Sequence, residues 1–183
     1  VVMACYSFLE VEAANKVFPL AKARDVGVLA MKPFSGGVIE EAGPALRFVL
    51  QTKGIVPIPG SETLEKVQEN WKVFIEGGSL TEKDQDHIEA IKRQFNQRFC
   101  RRCDYCQPCS EGINIQIAVG LKSVIKRLGP MAPQIKWLMD IIEKARNCSE
   151  CGDCLQRCPY QLPIPDLIKE NLEWFDKQRN CLK

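Results

Sequence analysis

The sequence predicts two architectures in series: an α/β half, then an all-α half that binds metal through cysteine. Two observations carry this. Three apolar runs, at residues 1–5, 26–31 and 55–58, alternate with stretches of helical periodicity in units of about 25–30 residues, the rhythm of parallel strands joined by helical crossovers. Two dense cysteine runs, at 100–109 and 148–158, then enclose 38 residues whose apolar positions recur at helical spacing.

Taken in order, Val1 to Cys5 is an apolar run of strand length, and Ala14, Val17, Phe18 and Ala21 mark a helix within residues 10–24. Val26–Met31 reads as the second strand, followed by the turn-rich Lys32-Pro33-Phe34-Ser35-Gly36-Gly37. Pro44 suits the first turn of a helix carrying Leu46, Val49 and Leu50. Gly54 ends it, and Ile55–Ile58 reads as a short third strand, although Pro57 has no N–H for a ladder. Ser61 or Thr63 caps a helix with Leu64, Val67, Trp71 and Phe74 on one face, expected to pack into the core. Strands lacking polar alternation imply burial on both faces, as in doubly wound sheets and α/β barrels. Three strands alone leave raw edges, so residues 1–78 read as the tail of a larger α/β domain. Val1 opens inside an apolar run without an initiating methionine, so the chain is expected to be part of something longer.

From residue 79 to 183 a helical domain is expected. Thr81 and Asp84 form a capping pair for a helix with Ile88, Ile91, Phe95 and Phe99 down one side, which delivers the chain into the first cysteine run. Ile117, Leu121, Val124, Ile125 and Leu128 predict one helix, stopped by Gly129-Pro130; Ile135, Leu138, Met139 and Ile142 predict another. Pro163 and Pro165 introduce a last helix with Ile168, Leu172 and Phe175. The 38 helical residues between Cys109 and Cys148 are too many for a compact sheet-based ferredoxin, which favours an all-helical one.

The chemistry is concentrated in the cysteines. Cys148, Cys151, Cys154 and Cys158-Pro159 have the spacing C-x2-C-x2-C-x3-C-P, the bacterial run that holds a [4Fe–4S] cluster and sends its fourth cysteine to a second one. Cys100, Cys103, Cys106 and Cys109 are spaced C-x2-C-x2-C-x2-C. The ferredoxin rule predicts crossed sets: Cys100, Cys103, Cys106 and Cys158 on one cluster, Cys148, Cys151, Cys154 and Cys109 on the other. Cys109 comes one residue early and is followed by Ser110, which leaves open that it stays with its own run. Structural zinc usually takes two CxxC pairs across a long spacer, and a third cysteine two residues after the second suits a cube better. Arg98, Arg101, Arg102 and Arg157 are expected to raise cluster potentials if their charges face the clusters, and to have no effect if they face solvent. Cys5 and Cys181 fall outside both runs and read as free thiols.

Composition bounds the partners. A net charge of +2 offers no nucleic-acid surface, and no apolar run reaches transmembrane length, so neither nucleic acid nor membrane is expected. Ten cysteines, most of them metal thiolates, suit a reducing compartment and a cytoplasmic protein.

The halves together resemble the C-terminal part of aldo/keto reductases that carry a ferredoxin-type iron–sulfur domain. Val26–Pro33 with Gly36-Gly37 is similar to that family's seventh strand and loop, and Ile58-Pro59-Gly60-Ser61 through Asn70 resembles the exit of the eighth strand and the helix after it. The resemblance implies the last three βα units of a TIM-type (β/α)8 barrel followed by the helical iron–sulfur domain. It implies NADP(H) as cofactor beside two [4Fe–4S] clusters, with Ser61 and Lys66 at the adenosine ribose phosphate and Glu69 and Asn70 at the adenine. Met31 takes the place of the ring that stacks on the nicotinamide, and Gly60 replaces a lysine common in NADPH-dependent members, which leaves NAD against NADP open. The family's catalytic tyrosine, lysine, aspartate and histidine would precede Val1; Tyr6 and Lys32 match none of them, and His87 is expected to face solvent.

Three readings follow. The chain is part of an oxidoreductase coupling a nicotinamide-binding barrel to cluster electron transfer, with a carbonyl substrate or a redox partner protein. Alternatively it is an electron-transfer module that the α/β part docks to a partner, or the metal groups, iron–sulfur or zinc, are structural staples. The absent barrel half, or self-association in its place, is expected to complete the α/β part.

Overall fold

The computed structural model describes residues 1–181; Leu182 and Lys183, and the side chains of Asn96, Asn180 and Cys181, lie outside what it describes. The thiol of Cys181 is therefore not placed. The chain divides into two units, Val1–Phe95 and Asn96–Lys183, so the division falls 17 residues after the expected end of the α/β half at residue 78.

In the first unit, strands β1 (Val2–Cys5), β2 (Val28–Met31) and β3 (Ile55–Ile58) form a parallel sheet in sequence order. The register aligns Val2 with Val28 and Ile55, and Met3 with Leu29 and Val56. Helices α1 (Ala13–Ala23) and α2 (Ala42–Leu50) make the crossovers. Side chains alternate across a strand, so Val2, Ala4, Val28, Ala30 and Ile55 share one face, which packs with Phe18, Ala21 and Val49. The other face carries Met3, Leu29, Val56, Cys5, Met31 and Ile58. Met3 and Val56 there are 53% and 58% exposed, so the expected burial on both faces is met on one only.

Helix α3 (Leu64–Glu76) begins at Thr63, whose hydroxyl accepts from the Lys66 N–H at 3.3 Å. Its apolar stripe does not enter the core as expected: Leu64, Val67, Trp71 and Phe74 are exposed, while Asn70 and Val73 are buried. Val73 packs with Ala42 and Leu46, so the face set by contact with α2 is not the one with the most apolar residues. Helix α4 (Glu82–Phe95) opens with the expected reciprocal cap, Thr81 N–H to Asp84 at 2.9 Å and Asp84 N–H to the Thr81 hydroxyl at 3.1 Å. It belongs to the first unit, not to the cysteine domain. Ile88 packs with Phe8, Ile39 and Ala45, and Arg47 donates twice to Asp84, at 3.2 and 3.1 Å. Burial works to raise the Asp84 carboxyl, but the Thr81 hydrogen bonds and the Arg47 guanidinium outweigh it and hold it below the ordinary aspartate value. His87 reaches Glu41 at 2.8 Å instead of facing solvent alone.

The regular elements described in the second unit are all helical. A 3₁₀ turn at Asn96–Arg98 ends α4, so Phe99, expected on that helix, lies beyond it and is buried in the second unit. The single helix expected around Leu121 is two, α5 (Ile115–Val119) and α6 (Leu121–Leu128), broken at Gly120. A Cβ there would sit 3.0 Å from the Gln116 carbonyl, which makes glycine fit the break. The side-chain NH2 of buried Asn171 donates to the Ala118 and Val119 carbonyls at 3.0 and 2.8 Å, replacing the helix bonds that the break removes. Helices α7 (Lys136–Arg146), α8 (Asp153–Arg157) and α9 (Ile164–Cys181) complete the unit. Leu121, Leu138, Ile142 and Phe175 form one core, and Ile113, Ile115, Ile164 and Ile168 form another beneath the cysteines.

Candidate metal centre

The first cysteine run has no regular structure, because its backbone is spent on turning. Arg102 and Asp104 adopt left-handed φ values of 58° and 65°, costly for non-glycine residues and found where surrounding structure fixes them. Gln107 braces the loop: its NH2 donates to the Ile113 carbonyl and its carbonyl accepts from the Cys109 N–H, both at 3.0 Å. In the second run Glu150 and Gly152 have φ of 52° and 82°, and the chain then enters α8, which carries Cys154. Arg157 ties the runs together, donating to the Pro108 carbonyl at 3.0 Å and to the Asp153 carbonyl at 3.2 Å.

The runs interleave around two cavities. One, of about 400 Å3, is lined by Cys109, Cys148, Cys151 and Cys154, with Ile113, Ile168 and Pro165 as its apolar floor. The other, of about 340 Å3, is lined by Cys100, Cys103 and Cys158, with Val119, Leu162 and Ile164. Cys106 and Ile115 line both, so they form the partition between them. With Cys106 counted beside Cys100 and Cys103, which act on its thiol, each cavity has three cysteines of one run and the last cysteine of the other. Cys109, despite coming one residue early, lies with Cys148, Cys151 and Cys154.

Electrostatics reports the same grouping. Burial pushes the Cys154 thiol up, and Cys148, Cys151 and Cys109 push it further. Burial likewise raises Cys100, against the Arg102 N–H and guanidinium, with Cys103 and Cys158 adding to the rise. Cys106 is pushed up to about 11 by burial, and by Cys100, Asp104 and Cys103 despite its own backbone N–H. Four thiolates cannot share so small an apolar space unless cationic metal neutralises them, so metal entry must release protons. The all-sulfur donor sets fit a polyatomic iron–sulfur group. Among the described residues, no three or more His, Cys, Asp or Glu side chains converge on a single ion position.

The other expected site residues lie in the first unit and line neither cavity. Asn70 donates to the Ser61 hydroxyl at 2.8 Å, so the two hold each other. Lys66 and Glu69 are exposed on α3, and Met31 ends β2 on the open sheet face. Arg98 pairs with Glu170 at 2.5 Å on the surface. Arg101 lies 4.1 Å from the Tyr160 ring centre and lines the second cavity. Gln107, Tyr160 and Asn171 carry no spacing signal. Tyr160 and Asn171 act on partners more than 50 positions away, and such pairings appear only once the chain is folded.

Residues 99–162 match the family model of the 4Fe-4S dicluster domain. A 55-residue stretch is 40% identical to the acetyl-CoA decarbonylase/synthase complex subunit alpha of Methanothermobacter thermautotrophicus, covering 28% of this chain. The chain spans about 7% of the length of that relative. No solved structure matches the chain. The protein thus combines a small parallel α/β unit with a 4Fe–4S ferredoxin-type domain. That domain is an iron–sulfur electron-transfer module with at least one [4Fe–4S] cluster. Among the described residues no helix is long and apolar enough to cross a membrane.

Proposed function

We propose that this chain is part of a cytoplasmic oxidoreductase in which an aldo/keto-reductase-like, nicotinamide-binding barrel is coupled to two [4Fe–4S] clusters. The observation that carries the two-cluster reading is the interleaving of the runs, with Cys100, Cys103, Cys106 and Cys158 around one cavity and Cys109, Cys148, Cys151 and Cys154 around the other. These quartets are the ligands. The clusters supply one-electron storage; the chain supplies thiolates, apolar walls that keep water out, and charges that tune potential. Among the described residues no three potential ligands converge on one ion position, which favours a cube over zinc, whose Zn–S bonds of about 2.3 Å would draw four sulfurs around one point.

Support for the barrel reading comes from surfaces without partners in the first unit. The sheet face of Met3, Val56 and Ile58 and the helix stripe of Leu64, Val67 and Trp71 are apolar and exposed. Both are surfaces that the remaining strands and helices of a larger α/β domain would cover. In this reading residues 1–95, with α4 included, are the end of the barrel, and Ser61, Lys66, Glu69 and Asn70 with Met31 are the residues of this chain toward NADP(H). The catalytic acid lies elsewhere, and the carbonyl substrate with it. The electron-module reading has its own support: the matched relative is named as a subunit of a complex, which fits a redox partner protein.

The test is analytical. Anaerobically prepared protein should contain about eight iron and eight sulfide per chain, and NADPH should protect the Ser61–Asn70 segment from proteolysis. Stoichiometric zinc without sulfide would end the cluster reading; a segment indifferent to NADPH would end the nicotinamide reading.

A further inference from the structure

We infer that the two clusters are held at different potentials by the unequal charge of their cavity walls, so that the first electron resides in the cavity of Cys100, Cys103 and Cys158. This rests on the two-cluster reading. The wall of the Cys148 cavity bears three carboxylates, Glu111, Glu150 and Asp153, against one guanidinium, Arg157. That guanidinium is already engaged by Asp153, with its carboxylate at 3.6 Å and its carbonyl at 3.2 Å. The wall of the Cys100 cavity bears one carboxylate, Asp104, against Arg101. Arg101 is held there by the Tyr160 ring at 4.1 Å and is only half exposed, so its charge is less screened than one in open solvent. The neighbouring Arg102 adds a second positive charge, one that already acts on the Cys100 thiol.

Adding an electron makes a cluster more negative, so nearby cations favour the reduced form and nearby carboxylates disfavour it. Both effects act in the same direction across the Cys106–Ile115 partition. The cluster beside Arg101 is therefore the easier to reduce, and the one ringed by Glu111, Glu150 and Asp153 the harder. Each has one cysteine at the protein surface, Cys103 and Cys151 respectively, so each can exchange electrons with the outside separately. Arg101 is a positioning residue in this scheme: it touches no reacting atom of a substrate and acts through the field it places on the thiolates.

The experiment is a dithionite titration of the whole anaerobic protein at fixed salt, followed by electron paramagnetic resonance, after iron and sulfide have been measured. Two midpoints are expected. Arg101→Gln should lower the upper one by up to about tenfold in the reduction equilibrium, or about 59 mV for a one-electron couple, while Arg101→Lys should restore most of it. The double change Glu111→Gln with Glu150→Gln should raise the lower midpoint and leave the upper in place. A single shared midpoint, or Arg101→Gln acting on the lower one, overturns the inference while the two-cluster reading stands on eight iron and eight sulfide. Four of each would sink both.

Discussion

Replacing Asn171 by alanine tests how the fold supports the metal centre. The side chain donates to the Ala118 and Val119 carbonyls at 3.0 and 2.8 Å, at the break between α5 and α6. α5 also carries Ile115, which walls both cavities. The two hydrogen bonds, one buried and one part-buried, contribute about 1 kcal/mol each, so Asn171→Ala should weaken the break by about 2 kcal/mol. At 1.4 kcal/mol per factor of ten, opening becomes about 30-fold more frequent. If the clusters are released through that opening, bleaching of their visible absorbance by an iron chelator should accelerate by a similar factor. A rate is the right quantity, since a cofactor-bound protein does not unfold in two states. Asn171→Asp is the sharper control, because a carboxylate has no N–H to offer and would face two carbonyl oxygens. The reasoning fails if Asn171→Asp bleaches at the wild-type rate with its helix content intact.

Three further outcomes are expected. Asp84 is held below its ordinary value in the fold, so its contribution is present at pH above the unfolded aspartate value and lost as pH falls through the folded one; the acid limb of the first unit's unfolding should therefore flatten in Asp84→Asn, and Thr81→Ala should cost about 1 kcal/mol at neutral pH in a denaturant titration. Gln107→Ala frees the Cys109 N–H and the Ile113 carbonyl, so iron analysis over time should show the Cys148 cavity emptying before the other, and equal loss from both would count against this. Residues 1–183 should oxidise no NADPH with a panel of aldehydes, because a positioned acid must deliver the proton as hydride transfers; metal-dependent turnover would place the chemistry at the clusters.

What could be read in advance was what is encoded locally. The runs Val1–Cys5, Val26–Met31 and Ile55–Ile58 became strands, trimmed by one or two residues at most, because a buried parallel strand needs only a few consecutive apolar residues. The Thr81–Asp84 pair capped its helix because both partners lie within one turn. The cysteine spacing pointed to the 4Fe–4S domain that the family match supports, since close spacing in the chain leaves few geometries for a loop. The readings that changed depended on distant partners. The stripe of α3 had the period of a core face, but Leu64 and Trp71 are exposed. Gly120 within an apolar periodicity reads as a tolerated interruption; it becomes a break because Asn171, 51 residues on, accepts the role of helix partner. The helix of Ile88 was assigned to the cysteine domain by the loop before it, whereas Arg47 of α2 and Phe8 hold it to the first unit.

In the proposed two-cluster reading, the exchange of last cysteines between the runs shapes assembly. With Cys109 bound among Cys148, Cys151 and Cys154, the 38 residues between the runs become a closed ring, and the same holds from the other side through Cys158. Whichever cube arrives first closes that ring and removes the entropy of doing so from the second event. Filling should therefore be cooperative, and half-loaded molecules rare at any iron supply. A cell short of iron would hold a mixture of empty and complete proteins, and the number of working electron carriers would fall without a population of crippled ones.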